Sequence, residues 1–235
     1  AARVLGALAP GRLDIRDLDL TQLDSVRALA TSLRGERIDV LVLNAGVALL
    51  GDRARQVTAD GFELHFQTNF LAHAVLARAL ASQVGRVVVQ GSLASTFWGV
   101  NWGDQQFARR YMSLRAYGSS KTALSAFGLE LARRNPRLVV HLCHPGVVPA
   151  TAIAPTLRGR VWPRLRDVVV QRLGNPPAQA ALPALTVIST DAAPPAFFAP
   201  RFAVAGRPQR KRLPRSIQAA DGPRVWALTA PFAAP

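Results

Sequence analysis

Three short apolar runs, each closed by small or polar residues, constrain this chain more than anything else in it. Residues 38–43 end in Asn44-Ala45-Gly46, residues 86–90 in Gly91-Ser92, and residues 138–143 in His144-Pro145-Gly146. Unbroken runs of this kind fit strands covered on both faces, the condition inside a parallel sheet. Between them the apolar period lengthens to that of a helix. Leu23, Val26, Leu29, Ala30 and Leu33 share one face. A second helix, capped by Thr58 or Asp60, runs to about Leu80, and a long one spans Arg115 to Arg134, stopped by Asn135-Pro136. Alternating strands and helices predict an α/β fold with a doubly wound parallel sheet.

Outside this core the pattern is looser. Leu13 to Leu18 alternates like a further strand leading into Asp19. Residues 147–177, with prolines at 149, 155, 163, 176 and 177, read as a lid-like segment whose apolar content suits an apolar substrate. Ala178 to Ser189 is a further helix, Phe197-Phe198 an edge strand, and a last helix runs from about Ser216 to Leu228. The whole of residues 1–235 fits one domain.

Composition excludes several classes. The single cysteine, Cys143, rules out a disulfide framework and a cysteine zinc cluster. His65, His73, His141 and His144 have no metal-ligand spacing, so no metal is expected. No run of about 18 apolar residues is present, so no membrane span is expected. The chain opens with no basic-then-apolar leader, so a cytoplasmic setting is expected. The net charge of +15 is nearly all arginine, with Lys121 and Lys211 the only lysines. Such a balance attracts polyanions or a phosphorylated cofactor. The charge is scattered, however, and the one cluster, residues 207–215, has no interleaved aromatics and reads as a solvated loop. No specific nucleic-acid partner is expected.

In open parallel sheets, ligands gather beyond the carboxyl ends of the strands. The three polar strand ends therefore mark the candidate site. The sharpest chemical feature is Tyr117-Gly118-Ser119-Ser120-Lys121. Residues four apart share a helix face, and an ammonium beside a phenol favours phenolate. That would make Tyr117 a general acid or base near neutral pH.

These segments carry a resemblance. Asn44-Ala45-Gly46, the stretch Thr58-Ala-Asp-Gly-Phe-Glu-Leu-His-Phe-Gln-Thr-Asn69, Arg86-Val-Val-Val-Gln-Gly-Ser92, Arg115-Ala-Tyr117-Gly-Ser-Ser-Lys121 and His144-Pro-Gly146 resemble the short-chain dehydrogenase/reductase family, within it the retinol-dehydrogenase-like branch. The resemblance implies a Rossmann-like fold and an oxidoreductase using NADP or NAD on a small apolar alcohol or carbonyl compound, with a homo-oligomer as a further expectation. It implies four catalytic residues. Tyr117 moves the substrate proton, Lys121 tunes it and holds the nicotinamide ribose, Ser92 bonds the substrate oxygen, and Asn69 supports a proton relay. It places Asp19 near the adenine, Asn44, Ala45 and Gly46 near the adenosine side, and Pro145, Gly146 and Val148 against the nicotinamide. Cys143 and His144 are expected to be structural.

The sequence departs from the family at Gly91, where serine is usual, and at Ala150, where threonine is frequent. The family's opening strand, glycine-rich turn, helix and second strand are not matched, and no G-x-x-x-G-x-G follows a strand. An N-terminally truncated fold with strands 1 and 2 missing is therefore expected, with the residue 38–43 strand as an open edge. Backbone N–H groups of that turn bind the pyrophosphate. The competing readings are thus a catalytically silent remnant with impaired cofactor binding and, on charge alone, a basic binding module.

Overall fold

The computed structural model describes residues 13–148 and 175–232. They build a five-stranded sheet from β1 (Ile38–Leu43), β2 (Val84–Gln90), β3 (Val139–Cys143), β4 (Phe197–Pro200) and β5 (Pro208–Lys211), in that spatial order. The first four strands run parallel and β5 pairs antiparallel with β4. Leu43 pairs with Val89, Val89 with Leu142, and Leu142 with Phe197. That register aligns the carboxyl ends of β1, β2 and β3, so the segments leaving them meet at one edge.

Five helices among the described residues pack on the sheet or on the helices that cover it. They are α1 (Leu23–Ser32), α2, α3 (Ser113–Arg134), α4 (Pro177–Ser189) and α5 (Gly222–Thr229). Helix α2 comprises three contiguous pieces, Leu64–Phe66, a π-helical turn Gln67–Leu71, and Ala72–Leu80. Successive strand residues point to opposite faces, and two cores result. Val87, Val89, Val140 and Leu142 pack with Phe70 of α2 and with Leu124 and Phe127 of α3. Val88, Cys143 and Phe198 pack on the other face with Val187 of α4. Phe70 and Phe127 are fully buried, and truncating either to alanine costs about 3–5 kcal/mol. Helix, sheet and helix layers agree with the doubly wound α/β expectation.

The structure corrects several details. Residues 13–18 form no strand, and Leu13, Ile15 and Leu18 are 40%, 55% and 37% exposed. Alternation makes a strand only when a neighbour supplies hydrogen bonds, and β1 is paired with β2 alone among the described residues. Arg16 instead ties this segment to Asp14 and Glu36. Nor is β1 covered on both faces, since Asp39 and Val42 are exposed. Phe197-Phe198 lies inside the sheet rather than at its edge. The edge is β5, drawn from the basic stretch expected to be only a loop; its pairing with β4 supplies the missing partner.

Neither Thr58 nor Asp60 caps α2. The Glu63 side chain does, accepting from Phe66 N at 2.7 Å. Asp60 accepts from Leu23 N at 2.8 Å and so caps α1, from far along the chain. The last helix begins at Gly222, after a 3-10 turn at Ala219–Asp221. Most of the lid-like segment, with Ala150, lies outside the described residues. No helix among them is long and apolar enough to cross a membrane.

Candidate active site

The chain leaves β1 through Asn44, Ala45 and Gly46, the first two exposed. Helix α2 grips the turn that follows. Val47 N donates to Asn69 Oδ1 at 2.8 Å, and Asn69 Nδ2 donates to Val47 O at 2.9 Å. One turn along, His73 Nε2 donates to Ala45 O at 2.8 Å. Asn69 sits in the π-helical turn, a widened geometry that recurs at functional sites. Gly46 is needed for close approach. A Cβ there would lie 2.7 Å from Asn69 Oδ1 and 3.2 Å from Lys121 Nζ.

Two groups leave β2 beside this turn. Lys121 Nζ donates to Gln90 O at 3.2 Å. Ser92 is extended and caps a 3-10 turn, accepting from Ala94 N at 3.2 Å. The Ser92 hydroxyl lies near enough to the Tyr117 phenol to favour its ionised form. Ser120, on the same helix, donates to Tyr117 O at 2.8 Å and accepts from Asn69 Nδ2 at 3.1 Å. Asn69, Ser92, Tyr117, Lys121 and Gly46 thus form one connected cluster at the strand ends.

Burial governs its electrostatics. It raises the Tyr117 phenol above its ordinary value, opposed by the Ser92 hydroxyl. It pushes the Lys121 ammonium down to about 8 and His73 down to about 4, the latter also repelled by Lys121. The expected lowering of Tyr117 by Lys121 is not what the geometry gives. The ammonium faces Gln90 O, and desolvation of the phenol is the larger effect. Burial pushes Cys143 up to about 12, which keeps it a thiol, hydrogen-bonded to Gln90 Oε1.

The β3 exit is held separately. His144 Nδ1 accepts from Gly146 N at 3.0 Å. Gly146 has φ +82°, and a Cβ there would strike Val204 O. Fully buried Asn175 staples this turn. It donates from Nδ2 to Pro145 O at 2.8 Å, and its own N donates to Val147 O at 2.8 Å. Pro145, Gly146 and Val148 are half-buried. Asp19 stands apart. Its carboxylate accepts from Thr21 N, Thr21 Oγ1 and Gln22 Nε2, which holds it below the usual range, and none of these bonds reaches the cluster.

Two elements of the site were missed by sequence reasoning. One is Asn175, whose only signal was Asn-Pro-Pro at a helix start. The other is a buried pair beside Tyr117. Glu63 and His65 are 1% and 0% exposed, with Glu63 Oε1 and His65 Nδ1 2.7 Å apart. Glutamate is an unusual cap, so Glu63 carried little local signal. An open cavity of about 370 Å³ lies at the opposite end of the sheet, beside residues 35–37 and 82–85, and holds none of these groups.

The cluster suits half of a dinucleotide. Lys121 Nζ carries three protons and uses one on Gln90 O, leaving donors beside the bare face of Gly46. Such a donor set matches the hydroxyls of a ribose. No group of three metal-ligating side chains occurs among the described residues.

Fold, strand-end cluster and sequence together define the class of protein. The chain belongs to the short chain dehydrogenase family, whose model matches residues 1–160. It is 36% identical over 152 residues to human retinol dehydrogenase 14, a match covering 61% of this chain and 44% of that protein. The match thus spans less than half of that relative's length. Among solved structures, an uncharacterised protein of Mycobacterium paratuberculosis superposes with TM-score 0.78 at 28% identity, covering 99% of this chain and 80% of that one. A short chain dehydrogenase of Burkholderia cenocepacia J2315 in complex with NADP gives TM-score 0.56 at 27% identity, covering 79% and 74%.

Proposed function

We propose that the protein is an NAD(P)-dependent oxidoreductase that interconverts a small apolar alcohol and its carbonyl compound. The observation that carries this reading is the cluster at the strand ends, where Ser92 lies near the Tyr117 phenol, one helical turn from a buried Lys121 held on Gln90 O. When bound, the nicotinamide supplies or takes the hydride. The chain's own residues handle the oxygen and its proton. Burial keeps the Tyr117 phenol protonated at neutral pH, so it is loaded to donate to a carbonyl oxygen. Ser92 Oγ, already within reach of that phenol, bonds the same oxygen. Lys121 stays mostly charged at pH 7 and holds the ribose hydroxyls, while the Ser92 hydroxyl favours the phenolate left after proton transfer. Asn69 acts through position, because both of its amide protons and one lone pair of its oxygen are spent on Val47 and Ser120. Pro145, Gly146 and Val148 form the wall against which the nicotinamide packs, and Asn44 to Gly46 the floor on the adenosine side.

A second reading, the silent remnant, rests on one sequence observation: the 235 residues hold no G-x-x-x-G-x-G turn after a strand. One experiment separates the two. The purified chain is given millimolar NADPH or NADH and a panel of apolar aldehydes and ketones, and absorbance at 340 nm is followed. Substrate-dependent oxidation of either cofactor supports the oxidoreductase. Its absence for every compound, with the protein folded, supports the remnant.

A further inference from the structure

We propose that His65, anchored by Glu63, is a positioning residue that fixes the Tyr117 ring and thereby holds its hydroxyl at the strand ends beside Ser92. The inference deepens the oxidoreductase reading, since it concerns the same tyrosine. Its argument begins with the hydrogen bonds around one imidazole. Leu49 N donates to His65 Nε2 at 3.1 Å, so that nitrogen carries the lone pair. The proton of the neutral ring is then on Nδ1, which donates to Glu63 Oε1 at 2.7 Å. The other carboxylate oxygen accepts from Phe66 N at 2.7 Å. Both ring nitrogens are therefore used, and the ring plane is set from two sides. That plane meets Tyr117 edge to face, with centroids 6.1 Å apart and planes at 70°.

A helix cap alone does not require this arrangement. Caps are ordinarily short polar residues near solvent, whereas burying a carboxylate costs several kcal/mol unless every oxygen is bonded. Glu63 is 1% exposed and gives its second oxygen to His65. The carboxylate thus serves two elements, the start of α2 and the imidazole packed on Tyr117. Leu49 adds a third, because it follows the Asn69-gripped turn after β1. The phenol, the turn and the helix start are locked together through one ring. Swinging that ring away would free the phenol to rotate off Ser92 and admit water.

Tyr117 can be watched without any cofactor, because the chain has two tyrosines, Tyr111 and Tyr117. In a Tyr111→Phe background, absorbance at 295 nm against pH reads Tyr117 alone. Glu63→Gln keeps the shape but faces an N–H with an N–H, either at Phe66 or at His65. His65→Ala removes the ring. Both are expected to lower the Tyr117 midpoint by about one pH unit, because water reaching the phenol relieves the burial that dominates its shift and outweighs the lost Ser92 contact. His65→Phe keeps a ring without its anchors and is expected to fall between these variants and the parent. Thermal melts run alongside report global stability. An unchanged midpoint in Glu63→Gln and His65→Phe, both folded, would overturn the proposal. If His65→Ala does not fold, the other two variants decide. Turnover does not enter this readout, so a parent chain that fails to oxidise NADPH leaves it intact.

Discussion

Asn69 holds Val47 by both backbone groups, accepting from its N–H at 2.8 Å and donating to its carbonyl at 2.9 Å. A side-chain amide matches a peptide group in this way because it carries one donor face and one acceptor face. The pairing fastens the turn after β1 to the π-helical part of α2. It also brings Asn69 Oδ1 so near Gly46 that any side chain there would collide.

Replacing Asn69 by aspartate is therefore expected to be worse than its small size change suggests. An oxygen would face Val47 O and the Ser120 hydroxyl would lose a donor. A loss of about 2–3 kcal/mol is expected, read as a lower midpoint in urea denaturation. Equal stability of Asn69→Asp and the parent would contradict the clamp.

Removing the Ser92 hydroxyl tests the electrostatics of the pair. That hydroxyl opposes the effect of burial on Tyr117, so Ser92→Ala is expected to raise the tyrosinate midpoint further. The Tyr111→Phe background again isolates Tyr117. A fall in the midpoint would show that the two hydroxyls are not in contact in solution.

Acid is expected to weaken the fold between about pH 6.5 and 4. His73 and His144 are both pushed down to about 4 by burial, from an ordinary value of 6.5. Between those values the unfolded chain binds more protons than the folded one, so stability drops as pH falls. Each group contributes up to ~3 kcal/mol across that window. His73→Gln keeps a donor for Ala45 O and removes one titration. Its melting temperature at pH 7 minus that at pH 4.5 should be smaller than the parent's difference, with His144 and the likewise lowered His141 supplying what remains of the histidine effect. An undiminished difference would contradict the assignment to His73.

Cofactor affinity of the 235-residue chain is expected to be weak. The adenosine and nicotinamide sides have candidate contacts, yet no glycine-rich turn occurs among these residues. Hydrogen bonds to charged groups contribute about 1.5–3 kcal/mol each, so two or three fewer cost several powers of ten in affinity. Calorimetry with NADPH and NADH reads this directly. A micromolar dissociation constant for either would show that other groups hold the pyrophosphate.

Much of this arrangement was legible in the sequence, and the reasons differ by element. The boundaries of β1 match the apolar run at residues 38–43, because β propensity and the parallel pairing with β2 agree there. The Tyr117–Lys121 spacing fell on one helix as expected, since α3 carries an unbroken helical pattern to Arg134. Leu13 to Leu18 failed because alternation describes a face and not a partner. Phe197-Phe198 was placed at the edge because the partner strand is basic, and charge resembles a loop in sequence. Lys121 was read as turned to Tyr117 because spacing gives a shared face, whereas the Gln90 carbonyl that captures it lies on a distant strand. Glu63, His65 and Asn175 were missed for a related reason. The partners of His65 and Asn175, namely Leu49, Pro145 and Gly206, come together only through the fold, and Glu63 matters to the site only through His65.

The most direct test of the central claim is a comparison of the parent with Tyr117→Phe in single-turnover reduction of a reactive apolar aldehyde at millimolar NADPH. The phenyl ring keeps the contact with His65 and removes only the hydroxyl that faces Ser92. A fall of about 10²–10⁴-fold in rate, with unchanged melting temperature, is expected if Tyr117 moves the proton. Equal rates in the two proteins would contradict the account.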